Sequence, residues 1–312
     1  MISIITPTHK ERPLLELTIK SVLSQSYSDF EWIVLDNSKE GYFENKFNEF
    51  LIKNPKYENR RQNVKIIHKV YDEVNIGKLK NECVSLTSCK DNEYILLLDH
   101  DDFLVNDCLL NIYKYSNKYP QAQFISGDAV PLYYDTQTNL FNFHRYHDTS
   151  DLENIYGNVS GELKIEIDDF YIDFGYIKNY VFRPYSYDFD AKLNNDNNEI
   201  KNHLYSHPRC IKKHILLNPI YQFYEEHSIS EDTVQCFILG NFLQGVYIPK
   251  LIYTSVLYSD INNTSFIPVS DECKTKYYQI VELTRKMSKN IEELFPNLPK
   301  MHSILNREEI FN

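Results

Sequence analysis

Apolar and polar positions alternate in short blocks from the first residues onward. Ile2-Ser3-Ile4-Ile5-Thr6 is β-branched and apolar, which predicts a strand that Pro7 ends. Leu14, Leu15, Leu17, Ile19, Val22 and Leu23 then recur at helical spacing, so a helix is expected over about residues 12–25. Phe30-Glu31-Trp32-Ile33-Val34-Leu35 reads as a second strand, with Asp36-Asn37-Ser38 at its end. A short helix is expected over residues 44–52 and a third strand over 64–68. Asn75-Ile76-Gly77 opens a helix that runs to about residue 86. Tyr94-Ile95-Leu96-Leu97-Leu98 is the fourth and most apolar strand, followed by a helix over 106–117 and a fifth strand over 123–126.

Strands that alternate with helices at this spacing predict βαβ units and a mostly parallel sheet. Ligands of such sheets bind at the carboxyl ends of the strands, where Thr6, Asp36 and Asp99 should converge. From about 129 to 212 the pattern changes: Tyr, Asn, Asp and His dominate, and hairpins with long loops are expected. Strand-like patterns return at 210–217 and 245–252, with a helical segment over 231–243 between them. Tyr277, Ile280, Val281, Leu283, Met287, Ile291 and Leu294 define an amphipathic helix closed by Pro296. That helix is expected to pack on the main domain, with a membrane-surface role as the alternative.

The chain has 312 residues and a formal net charge of −11, an excess of acid that argues against a nucleic-acid surface. No apolar run reaches the ~18 residues of a membrane span, and no charged leader with a cleavage site is visible. A cytoplasmic setting is expected, with peripheral membrane contact left open. The six cysteines contain no C-x-x-C pair and are expected to be reduced and mostly buried. Among the histidines, His203 and His207 alone have H-x-x-x-H spacing, and Pro208 argues against a helix there, so no zinc site is expected.

The strongest chemical signal is Leu96-Leu97-Leu98-Asp99-His100-Asp101-Asp102, an apolar strand that delivers three carboxylates to one edge. Like charges this close repel unless a cation or hydrogen-bond donors join them. Hard divalent cations take oxygen ligands, and Mg²⁺ commonly uses one or two carboxylates plus substrate phosphates. The bland alternative is that Asp102 caps the next helix. Asp36, at a strand end, can accept hydrogen bonds from a base or a ribose. Asn75 and Gly77 at a helix N-terminus, with Lys78 and Lys80 nearby, favour an anion such as a diphosphate.

In this order and spacing the motifs resemble glycosyltransferase family 2, over roughly residues 1–265. The matching pieces are Ile5-Thr6-Pro7-Thr8, Asp36, a loose N-x-G segment with Lys80-Asn81, the D-x-D of Asp99-His100-Asp101, Ser230-Glu231-Asp232-Thr233, and Gly245 followed by a strand and Pro249. One acid of the family's usual D-D-G-S is missing at Asp36-Asn37-Ser38, and no late His follows the last strand, where Asp260 or water would have to serve.

The resemblance implies an α/β fold of GT-A type: a mostly parallel sheet flanked by helices, a small acceptor-side sheet and a C-terminal helix. It divides the chain into a nucleotide-sugar-binding half (1–128), an acceptor-binding and catalytic half (129–265) and a helical extension (266–312). It implies a metal-dependent inverting transfer from a nucleotide-diphospho-sugar, a UDP-sugar by preference, to a hydroxyl of a glycan or other acceptor. Thr6, Pro7, Thr8, Asp36, Asn75, Gly77, Lys80 and Asp99 would bind the nucleotide, Asp101 and Asp99 a Mn²⁺ or Mg²⁺ ion, and Asp232 or Glu231 would act as base. The rivals are a non-catalytic nucleotide- or sugar-binding protein on the same scaffold and a nucleotidyltransferase. The latter usually has a Gly-rich loop after the first strand, and Pro7-Thr8-His9-Lys10-Glu11-Arg12 has no Gly.

Overall fold

The computed structural model describes residues 1–72, 74–143, 158–181, 209–219, 221–223, 225 and 243–258. In chain order the elements are β1 (Ile2–Thr8), α1 (Leu15–Leu23), β2 (Phe30–Asp36), α2 (Tyr42–Lys53), a 3₁₀ stretch (Pro55–Asn63), β3 (Val64–His68), α3 (Ile76–Leu86), β4 (Tyr94–Leu97), β5 (Phe103–Leu104) and α4 (Cys108–Lys118). They continue with β6 (Phe124–Asp135), β7 (Leu140–Phe143), β8 (Asn158–Ile167), β9 (Phe170–Val181), β10 (Arg209–Lys212), α5 (Lys213–Leu217) and β11 (Gly245–Tyr258).

The main sheet runs β3-β2-β1-β4-β10-β6-β11-β5, with β7 paired to β6, and β8–β9 form a separate hairpin. β1 to β4 are parallel to one another, and β6 pairs with β11 in parallel, whereas β10 enters antiparallel between β4 and β6. Both faces of the parallel half are covered, which explains why its strands read as continuous apolar runs. Ile4, Trp32 and Leu96 face α1, α2 and α4 in one core; Ile5, Ile33 and Leu97 face α3 and α5 in the other. A third core holds Phe103, Val130, Leu132, Ile165, Ile167 and Val256, joining the long ends of β6 and β11 to the β8–β9 hairpin.

Pro7 does not end β1. The strand runs through Thr8, with Pro7 opposite Leu35. Ile5 O accepts from Leu98 N and Thr8 O from Asn37 N, so Pro7 turns its nitrogen toward β4. Pairing with β4 stops at Ile5, and no ladder bond needs the missing N–H.

Other boundaries also move. α1 starts at Leu15. β6 and β11 extend to Asp135 and Tyr258, because each supplies the other's ladder past the strand-poor Gly127, Asp128 and Pro131 of β6. The 210–217 segment is half strand and half helix. The two-residue β5 was invisible in the sequence and exists by pairing with Tyr253 and Thr254. The four described cysteines, Cys83, Cys89, Cys108 and Cys210, are free and buried. All of the 231–243 segment but Leu243, and the helix expected at 272–295, lie outside the described residues.

Candidate active site

The carboxyl ends of β1, β2 and β4 meet at one edge. Thr8 lies opposite Asp36, and the β1–β4 ladder reaches Leu98 through its bond to Ile5 O, one residue before Asp99. The chain then turns back, with Asp102 N donating to Asp99 O at 3.1 Å. This turn separates three carboxylates into three environments.

Asp102 is buried and accepts from Tyr253 Oη at 2.6 Å and from Val256 N at 2.8 Å. It therefore ties the turn to β11. The helix-cap alternative is not what the structure shows: α4 begins six residues later, with Asp107 at its cap position. Burial first, then the charges of Asp101 and Asp99, pushes the Asp102 carboxyl well above the usual carboxylate range. Asp101 is also buried, with Arg12 Nε 3.0 Å from its Oδ2. Burial raises its pKa to about 6, and the Arg12 charge is the main opposing influence. Asp99 is the most open of the three, with 37% of its side chain exposed, and Lys80 Nζ stands 3.7 Å from its Oδ1.

Lys80 reaches this edge from α3. Asn75 Oδ1 caps that helix by accepting from Lys78 N at 2.9 Å, and Gly77 is buried in its first turn. Lys80 itself is buried, with its ammonium 5.6 Å from the centroid of the Phe223 ring. Asn81 positions that ring: its Oδ1 accepts from Phe223 N and its Nδ2 donates to Phe223 O and Glu225 Oε1.

Asp36 is used by the chain. Its two oxygens accept from Ser38 N and Phe43 N, both at 2.9 Å, and it is fully buried. The carboxylate thus caps α2, with Ser38 Oγ accepting from Tyr42 N beside it. Thr6 Oγ1 accepts from Trp32 Nε1 at 2.9 Å, and Thr8 Oγ1 is buried with no hydrogen-bond partner among the described residues. His9 and His100 sit edge to face, 6.0 Å apart. Burial lowers both to about 4, so both rings are neutral at pH 7.

A family model, glycosyl transferase family 2, matches residues 3–164, more than half of the chain. The chain belongs to glycosyltransferase family 2. Its fold is that of solved GT-A structures: S. aureus TarS 1–349 in complex with UDP-GlcNAc superposes with a TM-score of 0.58 at 15% identity, over 92% of this chain and 66% of that one. The complex of TarS 1–349 with UDP gives 0.54 at 13% identity, over 91% and 64%. TarS 1–349 alone gives 0.51 at 15% identity, over 82% and 60%. The chain thus spans less than two thirds of the length of these TarS structures. No curated protein sequence matches it.

Of the residues that the family resemblance singled out, the structure gathers Thr6, Pro7, Thr8, Asp36, Asp99 and Asp101 on one edge and brings Lys80 to Asp99. Asp232, Glu231 and Asp260 lie outside the described residues. Sequence reasoning missed Arg12, since nothing in Lys10-Glu11-Arg12 distinguishes a guanidinium that folds inward from one that stays in water. It also missed the Asn81–Phe223 strap, whose partners are 142 residues apart. Among the described residues no group of three or more metal-ligating side chains forms. The hard oxygen donors of Asp99 and Asp101 are of the kind that would suit a divalent cation.

Proposed function

We propose that the chain is a metal-dependent, inverting glycosyltransferase that moves a sugar from a nucleotide-diphospho-sugar, a UDP-sugar by preference, to a hydroxyl of a glycan or other acceptor. The observation that carries this reading is the division of labour in the turn after β4: Asp102 is consumed by the fold, while Asp99 and Asp101 stand beside the side chains of Lys80 and Arg12. The UDP preference rests on the TarS likeness, since TarS 1–349 is solved with UDP-GlcNAc and with UDP.

In this reading Asp101 and Asp99 would hold a Mn²⁺ or Mg²⁺ ion, which when bound would supply positive charge at the leaving diphosphate. Lys80 adds a fixed positive charge, and its burial over Phe223 keeps it from being dissipated in water. Thr6, Pro7 and Thr8 line the nucleotide side, and Asn75 and Gly77 shape the helix N-terminus beside it. Asp36 holds α2 and with it the floor of that side. Asp232 takes the proton of the acceptor hydroxyl on the face opposite the leaving group, with Glu231 as the competing base. The 1–128 half carries the donor and the 129–265 half the acceptor.

The test is a screen of UDP-, GDP- and dTDP-sugars for nucleotide release by the purified protein, with Mn²⁺ and with excess EDTA. Release that requires the metal supports the reading. Release at full rate in EDTA contradicts the metal, and a stable protein that releases no nucleotide from any donor contradicts the activity.

A further inference from the structure

A cleft of about 390 Å³ lies between α1, α2 and the strands β6, β7 and β9. Its walls carry four aromatic rings: Phe50, Tyr134, Phe141 and Phe170. Tyr134 and Phe141 are tilted at 51° with centroids 4.9 Å apart, and Phe141 meets Phe170 at 68° and 6.2 Å. Phe141 and Phe170 remain half-buried, so ring surface is left facing the cleft. Glu16, Lys20, Asn54 and Asn139 form the polar part of the lining.

The rim charges are already balanced. Glu16 is 3.1 Å from Lys53, and Lys20 pairs with Asp169. Among the described residues a phosphate or a carboxylate would find no surplus charge of opposite sign. Aromatic walls under a rim of amides and a carboxylate suit a ligand with an apolar C–H face and a girdle of hydroxyls, because C–H edges carry partial positive charge that the negative ring face attracts. A pyranose has that shape.

The cleft shares a wall with the carboxyl edge. Pro13 and Leu14 line it directly after Arg12. Arg12 reaches Asp101 on its other side and lies 5.4 Å from the centroid of the Tyr258 ring, which meets Tyr134 at 5.9 Å. We infer that this cleft binds a neutral pyranose unit of the acceptor glycan, at a distance from the hydroxyl that reacts. The acceptor assignment rests on the glycosyltransferase reading; the sugar site itself does not.

Saturation-transfer NMR on the full chain tests it, with chitotetraose and maltotetraose as neutral probes and glucose 6-phosphate and uridine as charged and flat ones. Transfer to at least one neutral tetrasaccharide is expected, undiminished by saturating UDP and Mn²⁺. Phe170→Ser should weaken that binding by about tenfold, and Glu16→Ala by about threefold. Tyr171→Ala, at an exposed aromatic outside the cleft, should change nothing. If Phe170→Ser fails to fold, Glu16→Ala decides, because that residue is exposed. No binding of either tetrasaccharide, binding insensitive to the cleft variants, displacement by UDP, or tighter binding of glucose 6-phosphate or uridine would each overturn the inference. Nucleotide release without saccharide binding leaves the catalytic reading standing and removes the cleft. Saccharide binding without release does the reverse.

Discussion

At the end of β2, Asp36 gives both carboxylate oxygens to backbone N–H groups; at the end of β4, Asp99 and Asp101 stand beside the side chains of Lys80 and Arg12. The two regions are neighbours on one edge and look alike in sequence, each an apolar strand ending in acid. The next stretch of chain makes the difference. After β2 the chain enters α2 within six residues, so the nearest acid meets orphan N–H groups of a helix. After β4 it makes a tight turn, and α4 begins too late to use any of the acids. An acid bound by the backbone is fixed for good, whereas an acid paired with a side chain can exchange that partner for a ligand.

The comparison breaks most visibly at Asp101. Asp101→Asn should lower nucleotide release by about 10²–10³-fold, with the circular-dichroism spectrum unchanged. A variant that turns over normally would put the chemistry elsewhere. Next in size is Asp36→Asn, which replaces one acceptor by an N–H donor facing another N–H in a fully buried site. The cost should be about 2 kcal/mol, read from the urea midpoint. Asp102→Asn should behave likewise through Tyr253 and Val256. Lys80→Met keeps the buried stem and removes the charge, so release should fall by about tenfold while stability holds.

The smallest effect is a pH dependence. The folded chain holds His9 at about 4, below its ordinary 6.5, so between those values the unfolded chain binds a proton that the folded one refuses. This contribution to stability is lost as pH falls from 6.5 toward 4. Asp101 works in the opposite sense, since its raised value makes the folded state the better proton binder between about 4 and 6. His9→Asn isolates the first part: the stability gained between pH 4.5 and 6.5 should shrink by about 1 kcal/mol after allowance for partial exposure. An unchanged gain would mean that the ring is not desolvated.

The parallel half was legible because burial on both faces writes unbroken apolar runs, as in Ile33-Val34-Leu35 and Leu96-Leu97-Leu98. The edge acids were legible for the same reason, as charge set directly after such a run. Pro7 was misread because its effect depends on which neighbour its nitrogen faces, which is a property of the sheet and not of the strand. β6 and β11 were read short because Gly127, Asp128 and Pro131 interrupt the strand pattern of β6, and the outer halves of both hold together by pairing with each other. Asp36 and Asp101 could not be told apart, since one finds a helix start and the other a guanidinium from a loop 89 residues away.

The most direct measurement is Mn²⁺-dependent UDP binding by titration calorimetry, made side by side on Asp36→Asn, Asp99→Asn, Asp101→Asn and Asp102→Asn. The account predicts that the Asp99 and Asp101 variants lose the metal-dependent part of the affinity. The Asp36 and Asp102 variants should keep it at temperatures where they remain folded. Loss in the Asp36 or Asp102 variant with retention in the other two would contradict it.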